Sequence, residues 1–426
     1  MRLLLERLGR LLGLSAVVVL FSGGVVTPAF GGETSSATIE FYQDEFDLSE
    51  KAATHRASAQ GYAFPLSSAL PESLGEEFTS FEFVPRAGYF NVKVRSADGV
   101  KLAERVFDEQ NVPVPMQVEV VGFNERELNL HVKELRARFE DEISRHEALV
   151  SVEGGRPLIS ISSELASSGR AKISGALDDR FGTTREIVER NELVGRAEAC
   201  SNTYCNDIVA GENLDGYDPV WLTCSTGFVG RDDLGRHVVL TAGHCLLPGP
   251  ELYRYWRSCY SGKINCGYAG LALRSEFQFN SAGDRGLLRY DEVASNFGIA
   301  SKYADWNTGN PVVVGSSFVA LPPTGIVVCL NAISSDTGQG RQTCGTITSN
   351  NYSAPVGATT VNGTLGITGA CTDYGMSGGP WVFDFGGIKV ATGTHIGSSP
   401  GSPAGCGMAS AEPIDRAKAA FGITIP

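Results

Sequence analysis

The spacing of apolar positions divides the chain into three stretches. Leu11 to Phe21 is an apolar run behind a basic start made by Arg2, Arg7 and Arg10. The run is too short for a comfortable membrane span, and Ala29-Phe30-Gly31 offers small residues where a signal peptidase reads. The pattern predicts a secretory signal over residues 1–31, with an uncleaved membrane anchor as the alternative. Residues 32–80 are acidic and give little periodic signal. Phe90, Val92 and Val94 then alternate with polar neighbours, predicting a strand that ends at the Asp98-Gly99 turn. Val100 to Phe107 predicts a short helix, and Val114, Met116, Val118 and Val120 alternate again. Asn124 with Glu127 three residues on resembles a capping box, and Leu128, Val132, Leu135, Phe139 and Ile143 share one helical face. Leu149 to Ser163 predicts a hairpin around Glu153-Gly154-Gly155. This second stretch is a small α/β region with no catalytic cluster. His131 and His146 read as surface helix residues rather than ligands.

From Asp207 the texture changes. Val238 to Thr241, Pro311 to Val319 and Ile326 to Leu330 are short β-rich runs between Gly, Ser, Asn and Pro. Spaced short strands of this kind predict an all-β barrel or sandwich. Pro413 to Phe421 places Ile414, Ala417 and Phe421 at helical spacing, predicting a C-terminal helix packed on the β body.

Composition sharpens this division. All ten cysteines lie between Cys200 and Cys406. Of the 83 charged side chains (35 basic and 48 acidic), 53 precede residue 201 and 30 follow it. A length of 426 residues is ample for more than one core. The net charge of −13 argues against nonspecific nucleic-acid binding, which needs a basic face. Export would make disulfides reasonable for an even cysteine count.

Candidate chemistry sits in the cysteine-bearing half. Ser377 lies among Gly375, Gly378 and Gly379, six residues after Cys371. A serine hydroxyl is a weak nucleophile until a base takes its proton and N–H donors hold the oxyanion. Without those partners the stretch is a glycine-rich turn carrying a solvated serine. Upstream, His244 follows the apolar run Val238 to Leu240 in Thr241-Ala242-Gly243-His244-Cys245, and Asp284 stands in Gly283-Asp284-Arg285-Gly286-Leu287. The order is His, Asp, Ser, with separations of 40 and 93 residues.

On these motifs, residues 201–426 resemble a trypsin-like serine peptidase of the chymotrypsin fold, in the style of the bacterial streptogrisin-like and glutamyl-endopeptidase-like branches. The resemblance implies two six-stranded antiparallel β-barrels with a C-terminal helix, and a domain over residues 197–426 preceded by an α/β propeptide over residues 32–196. Ile208-Val209-Ala210-Gly211 resembles the start of the first barrel. It implies a secreted, monomeric endopeptidase without metal or cofactor, acting on protein or peptide substrates. The propeptide would be an intramolecular partner, and no membrane association would remain after signal cleavage. Ser377 would attack, His244 would carry the proton, Asp284 would orient the imidazole, and the Gly375 and Ser377 N–H groups would form the oxyanion hole. It implies the disulfides Cys224–Cys245, Cys371–Cys406 and Cys329–Cys344, leaving Cys259–Cys266 and Cys200–Cys205 as local loops.

The chain departs from the pattern at Met376, where the family usually has aspartate; activation by insertion of a new N-terminus is then in doubt. Cys371 stands where a basic-specific pocket needs a carboxylate, which makes a basic preference unlike this chain. Thr372 and His395 match the positions that hold a glutamate side chain in glutamyl endopeptidases, while Asp373 would oppose an acidic substrate if it faced the pocket. An apolar preference with His395 as a satisfied strand residue stays open. Three functional alternatives also stay open: a secreted esterase, an inactive protease-fold binding protein, and a permanent N-terminal binding domain in place of the propeptide. Asn351-Tyr352-Ser353 and Asn362-Gly363-Thr364 are glycosylation acceptors in a host that glycosylates.

Overall fold

The computed structural model describes residues 35–145, 148–162, 188–190, 207–211, 213–216, 223–246, 253–259, 263–272, 277–289, 298–306, 310–334, 339–398 and 406–425. The expected signal segment and the expected junction near residue 196 lie outside these residues, as does His146. Among the described residues, no helix is long and apolar enough to cross a membrane.

The N-terminal region begins with three helices, Ser36–Phe46, Glu50–Gln60 and Ala63–Leu74, in a stretch whose sequence gives little periodicity. Their buried faces use Ala53, Ala57, Ala59 and Ala63 as well as Tyr42, Leu66 and Leu70. Alanine marks a core face weakly in a hydrophobicity pattern, although it is the best helix former. The strands Phe78–Val84, Tyr89–Val94 and Met116–Val120 form a small mixed sheet. The helix between the second and third of them is longer than expected. It runs Ala97–Glu109 from the N-cap Ser96, whose hydroxyl accepts from the Asp98 N–H at 3.2 Å. Asp98 and Gly99 therefore lie in its first turn rather than in a loop.

The helix Glu125–Arg138 carries the full capping box: Asn124 Oδ1 accepts from the Glu127 N–H at 2.9 Å, and the Asn124 N–H donates to Glu127 Oε2 at 3.1 Å. Leu128, Val132, Leu135, Phe139 and Ile143 are all buried, as their spacing predicts. His131 departs from the surface reading. It is 9% exposed, because three residues after Leu128 it falls on the same inward face. The hairpin forms with strands Ala148–Glu153 and Arg156–Ser162, and Gly154 and Gly155 both take positive φ at its turn, +53° and +68°.

The rest of the described chain is β, ending in the helix Ile414–Phe421, with Ile414 and Ala417 buried and Gly422 as left-handed C-cap. Its strands belong to two barrel-like sheets. One has eight strands, among them His237–Thr241, Phe277–Asn280 and Gly283–Arg289. The other has twelve, among them Val327–Ser334, Gln339–Val356, Thr359–Thr368, Pro380–Phe385, Ile388–Ser398 and Ala409–Pro413. Three of the twelve strands come from outside the β body's own run: the N-terminal hairpin joins it, with Glu153 opposite Ser349, and Val188–Arg190 continues it. The strand Asp207–Ala210 also pairs into this second sheet, parallel to Gly298–Asp305, rather than opening the first sheet. It still reaches the other side through its end, where the Gly211 N–H donates to the Thr226 carbonyl at 2.6 Å.

The N-terminal region and the second sheet share one apolar core. Val327–Ser334 is buried at every position: it lies between the strands Gln339–Val356 and Pro380–Phe385, and the helix Ser36–Phe46 packs against it. Phe64 packs edge-on against Phe318 with ring centroids 5.2 Å apart, and lies 5.4 Å from the Phe385 ring. Gln60 is fully buried; its Oε1 accepts from the Val327 N–H at 2.8 Å and from the Tyr42 hydroxyl at 2.9 Å. Arg136 reaches across at the hairpin and donates to the Val150 and Asn351 carbonyls, to Asn351 Oδ1 and to Ser353 Oγ at 2.9–3.1 Å. Burial, with help from the Arg416 charge, pushes the Arg136 guanidinium down to about 10. Asn351 Nδ2 also donates to Asn129 at 3.0 Å, so this expected glycosylation acceptor is engaged by the N-terminal region.

Candidate active site

The eight-stranded sheet supplies a histidine and a carboxylate. His244 follows the buried strand His237–Thr241 in a single 3₁₀ turn, Gly243–Cys245. Asp284 sits at the start of Gly283–Arg289, the strand paired with it. The pairing brings the two residues together from 40 positions apart. Asp284 Oδ2 lies 2.6 Å from His244 Nδ1, and its Oδ1 accepts the His244 backbone N–H at 2.7 Å. With a carboxylate as acceptor, the tautomer that suits this contact has the ring proton on Nδ1 and the lone pair on Nε2. The Phe279 ring stands 5.7 Å from the imidazole, centroid to centroid, and both His244 and Asp284 are buried.

The twelve-stranded sheet supplies the serine. Ser377 lies in the turn that leads into Pro380–Phe385, and it is buried. Its carbonyl accepts the Ser225 N–H at 2.6 Å, and the Ser225 hydroxyl donates to the Gly375 carbonyl at 2.8 Å. Ser225 follows Cys224, whose disulfide to Cys245 ends beside His244. The serine turn is thus tied to the histidine turn through three adjoining links. Gly378 completes the approach. It has φ +87°, and a Cβ there would collide with the Ser225 carbonyl and the Thr241 hydroxyl. In this rotamer the Ser377 hydroxyl donates to the Ile396 carbonyl at 3.0 Å. A hydroxyl has one proton, so giving it to an imidazole requires rotation about the Cα–Cβ or C–O bond.

Met376, the departure noted in the sequence, is fully buried, and its sulfur accepts from the Asp373 N–H at 3.4 Å. The turn is braced there by packing rather than by a charge pair. Gly375 takes φ +100°. The Cys329–Cys344 and Cys371–Cys406 disulfides form as well, the second closing the serine loop onto a later segment. The Cys259–Cys266 pairing concerns side chains outside those described, and Cys200–Cys205 lies outside the described residues.

Thr372 and His395 are both buried. His395 stands in the strand Ile388–Ser398 opposite Ala411; its N–H donates to the Gly379 carbonyl at 2.8 Å, and its carbonyl accepts the Gly378 N–H at 2.7 Å. The strand carrying His395 therefore holds both residues that follow the serine. The Trp381 indole lies edge-on to the imidazole, with its N–H 3.4 Å from Nδ1. Asp373 pairs with Arg341, Nη1 to Oδ2 at 2.8 Å, so its charge is countered on the spot. Sequence reasoning did not single out Arg341, Ser225 or Ile396; their roles come from contacts between strands and leave no local motif.

One grouping has the geometry of a metal site: ligand atoms of Cys224, His244 and Cys245 lie within 4.8 Å of one another. Its two sulfurs are bonded to each other, and a disulfide sulfur lacks the thiolate charge that binds a metal.

No family model matches the chain, and no curated protein matches it. Among solved structures it is similar to bacterial chymotrypsin-fold serine proteases over about half its length. Thermobifida fusca protease A is 27% identical, with 51% of this chain and 98% of that chain covered at a TM-score of 0.39. A glutamic acid specific serine protease is 26% identical, covering 51% of this chain and 100% of its own at 0.40. Cellulomonas bogoriensis chymotrypsin is 23% identical, with 52% and 98% covered at 0.39.

Proposed function

We propose that this protein is a secreted serine endopeptidase made as a preproprotein, in which His244, Asp284 and Ser377 carry the reaction. The observation that carries the reading is the His244–Asp284 pair at 2.6 Å with the Ser377 turn hydrogen-bonded to Ser225 beside it. Ser377 Oγ attacks the scissile carbonyl carbon as His244 Nε2 takes its proton. The oxygen of the tetrahedral species takes up the charge and accepts from the Gly375 and Ser377 N–H groups. The C–N bond breaks as Nε2 returns the proton to the leaving amine, leaving an acyl ester on Ser377. Water then attacks the ester with the same proton transfers and frees the acid.

The substrate side chain before the scissile bond is glutamate in this reading. The Thr372 hydroxyl and the His395 imidazole are donors to a carboxylate, and Arg341 counters Asp373, a charge that would oppose it. Labelling of the secreted protein by a serine-directed phosphonate, lost in Ser377→Ala, tests the nucleophile. Cleavage of matched peptide and ester substrates separates peptidase from esterase. A peptide library tests the preference: equal cleavage after Glu and Leu would remove the glutamate assignment.

Residues 32–196 act as a propeptide in this reading. The shared core, with Phe64 against Phe318 and buried Gln60 on Val327, equally favours a second reading, an N-terminal domain that is never removed. Intact mass of the secreted protein decides between them. A stable species starting near Gly32 supports the permanent domain.

A further inference from the structure

Asp284 raises a problem of anchorage. Both of its carboxylate oxygens are taken by His244, one by the backbone N–H and one by Nδ1. Their mutual geometry therefore follows the Asp284 backbone, which pairs with Phe279 within its own sheet. That backbone is also held from the other sheet. The Asp284 N–H donates to Glu412 Oε2 at 3.3 Å, while Glu412 Oε1 accepts from Arg285 Nη1 at 2.8 Å. Glu412 lies in the strand Ala409–Pro413, opposite Thr394 and next in register to the His395–Ala411 pair, and its side chain has no exposure. Arg285 is itself clamped: its Nε donates to Gln278 Oε1 at 2.9 Å and its Nη2 to the Ala282 carbonyl at 3.2 Å.

We propose that Glu412, working with Arg285, is a positioning residue for the His244–Asp284 pair, fixing the carboxylate of the first sheet relative to the serine and His395 strands of the second. The proposal rests on the triad reading above. Both Glu412 oxygens accept, which is the pattern of an ionised carboxylate. Burial pushes its carboxyl above the ordinary carboxylate value, and the Arg416 and Arg285 charges pull it only part of the way back. The charged groups that face it are Asp284 and Arg285 on the strand Gly283–Arg289, and Arg416 on the C-terminal helix with Nε at 4.0 Å. Arg136 is coupled to Arg416 from the N-terminal region.

Two things follow if Glu412 positions the pair. Glu412→Gln places an amide N–H₂ against either the Asp284 N–H or the Arg285 guanidinium, so one bond is lost and Asp284 loosens. It also removes a negative charge whose oxygen lies against the Asp284 N–H, one link from His244, which disfavours the imidazolium. A purely structural Glu412 would lower stability without either effect on the chemistry.

The test uses the secreted enzyme in its natural mature form, with active sites counted by phosphonate titration and peptide hydrolysis followed across pH. Glu412→Gln is expected to lower kcat per titrated site by about tenfold to a hundredfold, the scale of a sub-ångström to ångström misplacement, with little change in KM. The acid limb of its kcat/KM profile is expected to move down by about half a unit or more. Arg285→Lys keeps the charge but loses the clamp, so it should lower kcat several-fold and leave the acid limb in place. Unchanged kcat per titrated site in Glu412→Gln, whatever its melting temperature, overturns the proposal. If Glu412→Gln does not fold, unchanged kcat in Arg285→Lys overturns it. Failure of the triad reading looks different: Ser377→Ala would then still hydrolyse the peptide.

Discussion

Both regions have strand ladders and ion pairs, but between residues 35 and 162 there is no cysteine, whereas from residue 223 onward disulfides tie the ladders and loops together. The N-terminal sheet sets Lys93 against Glu82 and Glu119, with Arg156 also on Glu119 at 2.7 Å, and it contains no cysteine. The β body has three disulfides among its described residues, two of them in the histidine and serine loops. The difference follows from what each region must hold still. Loops with glycines such as Gly375 and Gly378 lose much backbone entropy on ordering, and a covalent tie removes part of that freedom from the unfolded chain. Partly exposed ion pairs contribute little each, so the N-terminal region relies on the core it shares with the second sheet.

The sharpest way to break this comparison is to remove the chemistry from one side only. Ser377→Ala or His244→Ala should lower turnover by about a million-fold while leaving the N-terminal region folded. More than a few per cent residual peptidase activity in a purified variant would place the chemistry elsewhere. A second test removes a staple. The Cys371→Ser/Cys406→Ser double variant opens a link spanning 35 residues and should cost about 3–4 kcal/mol by loop entropy. Denaturant midpoints measure the cost, and amide exchange should show faster opening around the serine loop than in the helix Glu125–Arg138.

The third test acts where the regions meet. Arg136→Met leaves the Asn351 and Val150 carbonyls without their buried donor and should cost about 2 kcal/mol. Exchange protection should fall first in the paired strands Ala148–Glu153 and Gln339–Val356. Equal loss across the β body would mean that the contact does not mark a boundary. The smallest effect belongs to Arg341→Ala. Its ion pair with Asp373 is partly exposed and should be worth under about 1 kcal/mol. The same change uncovers the Asp373 charge, so Glu-over-Leu preference should fall while Leu cleavage stays level. An unaltered ratio in a two-substrate competition would separate Asp373 from the substrate site.

Period, caps and turn chemistry were enough to read several elements from the sequence alone. The capping box at Asn124, the five buried positions from Leu128 to Ile143, the Gly154-Gly155 hairpin and the helix Ile414–Phe421 each depend on neighbours within a few residues. His244, Asp284 and Ser377 were legible as an ordered set of motifs. The helix Glu50–Gln60 was not legible, because its buried face is Ala53, Ala57 and Ala59, and small side chains pack by close approach rather than by a strong apolar period. Tertiary structure alone decided that His131 is inside, that Asp207–Ala210 joins the second sheet, and that Asp373 meets Arg341. It also decided that Glu412 stands behind Asp284, from a position 128 residues away. No local period or cap encodes such a pair: the two residues meet only because two sheets close on each other, and burial there favours a carboxylate that finds donors across the join.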